Sequence, residues 1–264
     1  MLNVVEITKQ YFDIEPSKLA ECGGAHYYCL NCRKCRKDDE SLIYDPAKPI
    51  ADYIDHTNLK ADAVEASISK LCEEGLKYKF KSVCVSPVWV EYCHHKLRNS
   101  STLVCAVVGF PLGANLAESK VEEASRVIEK GAKEVDMVIN ISHLKDKKID
   151  LLIEEIGEIS RLCHSKDVVL KVILENCLLS KEEIILASLV VKKAGGDYVK
   201  TSTGFSTGGA TLEDVALMRE VVGDKMGVKA AGGIASLKMA KQMLSTGASR
   251  IGTSRGAQII NESV

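Results

Sequence analysis

The chain has 264 residues, of which 46% are hydrophobic and 27% charged, and its formal net charge is −1. This is globular composition, sufficient for one large domain or two small ones, and without a basic block it excludes general electrostatic binding to nucleic acid or an anionic membrane. The opening MLNVVEITKQYF has no basic stretch followed by an apolar one, and no apolar run is long enough to span a bilayer, so neither a secretory signal nor a membrane anchor is expected and the cytoplasm is the expected compartment.

The first distinctive segment is CGGAHYYCLNCRKC, residues 22–35. Cys22, Cys29, Cys32 and Cys35 have a C-x6-C-x2-C-x2-C spacing. Four thiolates so close can hold a tetrahedral zinc, and the tight C-x2-C-x2-C also fits iron–sulfur ligation, with His26 as a substitute ligand. The alternative is an unmetallated tail. The role expected of a metal here is structural or associative. Asp45-Pro46 and Lys48-Pro49 mark a linker, which divides the chain into an N-terminal extension, 1–48, and a domain, 49–264.

From about Ile50 onward, short apolar runs alternate with amphipathic stretches. The predicted strands are ADYIDHT, FKSVCVS, LVCAVVGF, EVDMVIN, VVLKVILE, DYVKTST, GVKAAGG and RIGTS, rich in Val and Ile as in strands buried on both faces. Between them lie helical patterns. Asp62 with Glu65, and Ser180 with Glu183, have capping-box spacing, and Thr211 and Ser236 open two more helices. Gly75, Gly131, Gly195, Gly223 and Gly247 follow helical stretches, where a left-handed C-cap falls. Eight strands alternating with helices predict an α/β fold, a closed (β/α)8 TIM barrel with a short Cys-rich N-terminal extension. An open doubly wound sheet is the alternative, but the first strand ends in DHTNLK without a glycine-rich phosphate turn.

Two lysines lie near the ends of adjacent strand-like runs, Lys200 in DYVKTSTGF and Lys229 in GVKAAGGI. Parallel strands lie about 5 Å apart, so their amines can approach each other. An ordinary lysine amine is neutral only about one part in a thousand near neutrality; partial burial beside a second ammonium favours the neutral form, which is a nucleophile toward carbonyls. The alternative is a pair of lysines that reach the rim or pair with carboxylates. Asp136, in the apolar EVDMVIN, needs a partner, as a salt bridge or as a proton relay beside the lysines. Asp55 in IDHTNLK raises the same choice. Gly204 sits in the loop after the sixth strand, and Gly232, Gly233, Gly252 and Ser254 follow the seventh and eighth, whose loops often form a phosphate site in barrels of this type; the alternative is that these glycines only serve tight βα turns. The histidines show no paired ligand spacing, which disfavours a metal-dependent barrel enzyme. Cys72, Cys84, Cys93, Cys105, Cys163 and Cys177, scattered through helical and strand segments, read as free buried thiols.

The blocks IDHTNLK, SVCVSP, VVGFPLGA, EVDMVINI, KVILEN, DYVKTSTGFSTGGAT, GVKAAGGI and RIGTS, from about residue 50 to 260, closely resemble the deoxyribose-phosphate aldolases, which are class I, Schiff-base-forming enzymes on a (β/α)8 barrel. The resemblance implies reversible cleavage of 2-deoxy-D-ribose 5-phosphate to acetaldehyde and D-glyceraldehyde 3-phosphate, with no cofactor for catalysis. It implies Lys200 as the Schiff-base lysine, Lys229 as the lysine that perturbs it, and Asp136 as the proton relay. It places Asp55, Gly204, Phe205, Gly232, Gly233, Gly252, Ser254 and Arg255 around substrate and phosphate, and makes a homo-oligomer, dimer or tetramer, the expected assembly.

Three departures stand out. An arginine common in the phosphate loop is replaced by Ala235. Arg255 appears after the eighth strand and is expected to take over phosphate recognition, unless it points to solvent. Ser86 stands where asparagine is common. Two other functions compete with the aldolase: a class I aldolase with a different donor, and a non-catalytic sugar-phosphate-binding barrel whose cysteine segment recruits a partner.

Overall fold

The computed structural model describes residues 4–12 and 42–262. Its centre is a closed parallel barrel in strand order β1 to β8. The strands are β1 Ile54–Asn58, β2 Ser82–Val85, β3 Leu103–Val108, β4 Glu134–Val138, β5 Val169–Ile173, β6 Tyr198–Lys200, β7 Gly227–Ala231 and β8 Arg250–Thr253. Each pairs with its neighbours, and β8 closes on β1 through Ile54↔Ile251, Asp55↔Gly252 and His56↔Thr253. The eight alternating runs therefore form the expected barrel, not an open sheet.

Ten α-helices are present among the described residues. α1 spans Val4–Phe12, α2 Glu65–Tyr78, α3 Val90–Leu97, α4 Ala117–Glu129 and α5 Ile141–Lys145. They are followed by α6 Ile149–Ser165, α7 Lys181–Lys193, α8 Leu212–Val222, α9 Leu237–Thr246 and α10 Gly256–Asn261. None of the described helices is long and apolar enough to cross a membrane.

Side-chain alternation sets which residues face the axis. On β4, Val135 and Met137 point outward into the layer beneath the helices, and so do Val199 on β6 and Val228 and Ala230 on β7. The intervening Asp136, Lys200 and Lys229 consequently face inward.

Helix starts follow the sequence in three cases. Ser180 forms a full capping box with Glu183, while Thr211 and Ser236 accept the N–H groups of Asp214 and Met239. The Asp62 box does not form. The chain makes a turn at 61–62, α2 starts at Glu65 after an extended Val64, and Ser67 Oγ donates to the Val64 carbonyl. Gly75 is likewise no C-cap: it lies inside α2, which ends on Lys79 in the left-handed conformation (φ 54°).

The helix α1 has no signal in the sequence pattern. It packs on α7, burying Phe12, with Lys193 Nζ 4.8 Å above the Phe12 ring. Leu42 also docks on the barrel: its N–H donates to the Asp224 carbonyl (2.8 Å), and Arg219 Nη2 donates to its carbonyl (3.0 Å). Cys22, His26, Cys29, Cys32 and Cys35 lie outside the described residues. Of the six remaining cysteines, five are buried as expected. Cys177 is exposed, because it falls in the turn that follows β5 at the barrel rim.

Candidate active site

One hydrogen-bonded network fills the barrel interior and takes a member from every strand. Asp136 (β4) is its centre. Its Oδ2 accepts from Lys200 Nζ on β6 (2.8 Å) and Lys229 Nζ on β7 (2.7 Å), and its Oδ1 from Lys171 Nζ on β5 (2.8 Å) and Cys105 Sγ on β3 (3.1 Å). Asp55 (β1) accepts from Ser82 Oγ on β2 (2.7 Å), from Arg250 Nη1 on β8 (2.8 Å) and from Lys229 Nζ. Glu134 (β4) pairs with Arg250 Nη1 (2.8 Å) and Lys171 Nζ (2.7 Å). Lys200 and Lys229 are direct partners in the β6–β7 register. Because both bond one oxygen, their nitrogens are no farther apart than those two bonds laid end to end.

The electrostatics follow from burial and sign. Burial alone pushes the Asp136 carboxyl up, but the cations of Lys171, Lys200 and Lys229 outweigh it and hold the group well below the usual carboxylate range. Asp55 is likewise held low, with Arg250, Lys229 and Lys171 overcoming burial. Burial pushes Lys229 down, yet Asp136 and Asp55 outweigh it and raise its ammonium above the ordinary range. Lys171 is raised in the same way, by Asp136 first among its neighbours. Burial, with Cys84 and Asp136 beside it, pushes the Cys105 thiol well up, so it serves as a neutral donor. Fully ionised, the network has four cations, Lys171, Lys200, Lys229 and Arg250, against three carboxylates, Asp55, Glu134 and Asp136. Release of one lysine proton makes this dry cluster neutral.

Above the network, at the carboxyl ends of the strands, opens a cavity of about 860 Å³. Of the three lysines only Lys200 lines it. Gly204 and Phe205 from the loop after β6, Gly232 and Gly233 after β7, and Gly252, Ser254 and Arg255 at β8 line it too. Gly204 (φ 83°) and Gly233 (φ 80°) adopt the left-handed conformation, and a Cβ added at either would meet nothing within 4 Å. Their N–H groups find no acceptor among the described residues. Arg255 is exposed at the cavity wall. Gly252 has a second use: a Cβ there would lie 3.1 Å from Lys229 Cε, so its bareness makes room for that side chain. Phe205 meets Phe110 edge to face, ring centroids 5.2 Å apart.

Asp55 does not reach the cavity; it lies fully buried below, under Lys229. Three charged members of the network, Lys171, Glu134 and Arg250, are additions to the residues expected from sequence, as are the neutral Ser82 and Cys105. Lys171 carries the same signal as the other two lysines, a charge inside an apolar run. His56 lines the cavity wall, where its Nε2 meets Glu74 at 2.6 Å; burial pushes its imidazole down, which favours the neutral ring.

Two inward groups, Cys84–Cys105–Asp136 and Asp55–Cys105–Glu134, bring ligand-type atoms within 4.8 Å of one another. Their carboxylates are already engaged by lysine and arginine cations.

Residues 50–260 match the sequence profile described as DeoC/LacD family aldolase. The deoxyribose-phosphate aldolase of Caldanaerobacter subterraneus subsp. tengcongensis is 52% identical over 227 residues, covering 86% of this chain and 96% of that protein. The deoxyribose-phosphate aldolase of Thermococcus kodakarensis is 51% identical over 215 residues, covering 81% and 96%. Among solved structures, the deoxyribose phosphate aldolase from Aeropyrum pernix, described as tetrameric, superposes with a TM-score of 0.76 at 33% identity, covering 81% of this chain and 90% of that one.

Proposed function

The chain belongs to the DeoC/LacD aldolase family, and from that premise we propose that it cleaves 2-deoxy-D-ribose 5-phosphate reversibly to acetaldehyde and D-glyceraldehyde 3-phosphate, with Lys200 as the Schiff-base nucleophile. The observation that carries this reading is the Lys200 amine at the base of the cavity, bonded to the same Asp136 oxygen as Lys229.

In the cleavage direction the neutral amine adds to the C1 aldehyde of the open-chain sugar, and loss of water leaves an iminium. The C3 hydroxyl gives up its proton, the C2–C3 bond breaks, and the electron pair flows toward the iminium nitrogen to form an enamine. C3 leaves as the aldehyde of glyceraldehyde 3-phosphate. Protonation of the enamine at C2 and hydrolysis of the new iminium release acetaldehyde and restore the amine. Asp136, held anionic between the lysines, is the acceptor through which protons pass at this nitrogen. Lys229, held cationic, supplies a fixed positive charge beside the reacting amine. The test is reduction with borohydride in the presence of acetaldehyde. An ethyl group on Lys200 is expected; absence of label, or label only with ketone donors, would overturn the reading.

We assign the phosphate end of the substrate to the part of the cavity lined by Gly204, Gly233 and Arg255, whose backbone N–H groups and guanidinium are the donors available for it. Replacing Arg255 with alanine is expected to raise KM for the phosphorylated sugar roughly tenfold with little change in kcat, as loss of a charge-assisted contact does. An unchanged KM in steady-state assays would show that Arg255 faces solvent.

A further inference from the structure

Strand β5 runs into a residue with an unusual backbone. Glu175 has φ 59° and ψ 60°, the left-handed region that glycine enters freely and other residues seldom do. The residue is 2% exposed. A glycine would make this turn with less strain, so the turn alone does not account for a buried carboxylate.

The partners of that carboxylate do. One oxygen accepts the Thr203 N–H (3.2 Å) and the other accepts the Thr203 hydroxyl. The same hydroxyl accepts the Phe205 N–H (3.0 Å). Next to Glu175, the Asn176 N–H donates to the Thr201 carbonyl (2.9 Å). The end of β5 thus grips the turn 201–205, which begins one residue after Lys200. It pins the residues on both sides of Gly204, whose own N–H is left without an acceptor among the described residues and whose backbone lines the cavity.

We infer that Glu175 is a positioning residue for the phosphate end of the substrate: its left-handed backbone aims the carboxylate at Thr203, and that two-pronged hold fixes the Gly204 N–H where a phosphate oxygen binds. This rests on the proposed cleavage of a phosphorylated sugar. Glu175 does not line the cavity, so it acts only through the turn it holds. Strain retained at a buried residue beside a reactive lysine accords with such a role.

The experiment compares cleavage of 2-deoxyribose 5-phosphate with that of unphosphorylated 2-deoxyribose, using wild type, Glu175→Gln and Thr203→Val. Glutamine keeps the length of the side chain but turns one acceptor into a donor facing Thr203. Valine keeps the shape of threonine and removes the hydroxyl link, so the test survives if the glutamine variant folds poorly. In each variant the ratio of kcat/KM for the phosphorylated to the unphosphorylated sugar is expected to fall roughly tenfold, mainly through KM. Equal losses on both substrates would make Glu175 a brace of the fold and overturn the inference, as would an unchanged ratio. Borohydride trapping of wild type with acetaldehyde keeps the two questions apart. If Lys200 is labelled and the ratio does not move, only the inference falls; if Lys200 is not labelled, the proposed function fails and the inference with it.

Discussion

Replacing Lys200 with methionine is expected to abolish cleavage while leaving the barrel folded. The reaction as proposed has no other nucleophile: Lys171 and Lys229 are fully buried, held as cations, and do not line the cavity. A fall in kcat/KM of at least about 10⁴ is expected, more than about 5 kcal/mol of transition-state stabilisation. Loss of a buried charge usually destabilises, but here the balance of sign works the other way. With Lys200 gone, three cations, Lys171, Lys229 and Arg250, face three carboxylates, Asp55, Glu134 and Asp136, so no carboxylate is left without a cation. The melting temperature is therefore expected to stay within a few degrees of wild type. Assay and thermal denaturation of the same preparation check both halves. Activity above about one part in a hundred of wild type would remove Lys200 from the mechanism.

Asp136→Asn is expected to fail in the opposite way, losing activity and stability together. The substitution leaves four cations facing Asp55 and Glu134 alone, and it turns an acceptor into a donor against the lysines. Breaking a buried pairing of this kind costs about 3–5 kcal/mol. Loss of the proton acceptor beside the reacting amine lowers the rate by a further factor of about 10²–10⁴. The pH dependence identifies the cause. The native Asp136 carboxyl is depressed, so its contribution to wild-type stability is fully present above the unfolded carboxyl value of about 3.9, declines as pH falls below that, and is gone only once pH has passed the lower native value. The stability gap between the two proteins should accordingly be full near neutrality and narrower at about pH 3, by roughly 1 kcal/mol. Urea unfolding at about pH 7 and about pH 3 measures this. A gap of the same size at both would assign the defect to packing rather than to charge.

A residue is legible in the sequence when its local setting betrays it. The barrel is readable because its strands are short and apolar on both faces, and because helices separate them at regular spacing. Lys200, Lys229 and Asp136 are readable because a charge inside such a run is costly unless it has a partner. Lys171 in VVLKVILE meets the same criterion and belongs with them. Glu134 and Arg250 are harder, since each begins its strand and looks like an ordinary end-of-strand charge. Only the staggered closure of the barrel brings them under the lysines. Glu175 is not legible at all, because nothing in KVILEN marks a left-handed backbone. The pattern at Asp62 misleads, because cap spacing is a local preference that the turn at 61–62 overrides. The helix α1 is hidden for a similar reason: nine residues without a cap signal are a weak helix alone, and packing on α7 supplies what they lack.

The interior network joins all eight strands through one carboxylate and its neighbours, so Lys200, the proposed nucleophile, is tied to the closure of the cylinder. Closure of the cylinder is therefore a condition of chemical competence, although the reverse does not hold. A sample that still traps an aldehyde is one whose staves are still joined, and variation in substrate range is open to the rim loops but closed to the floor.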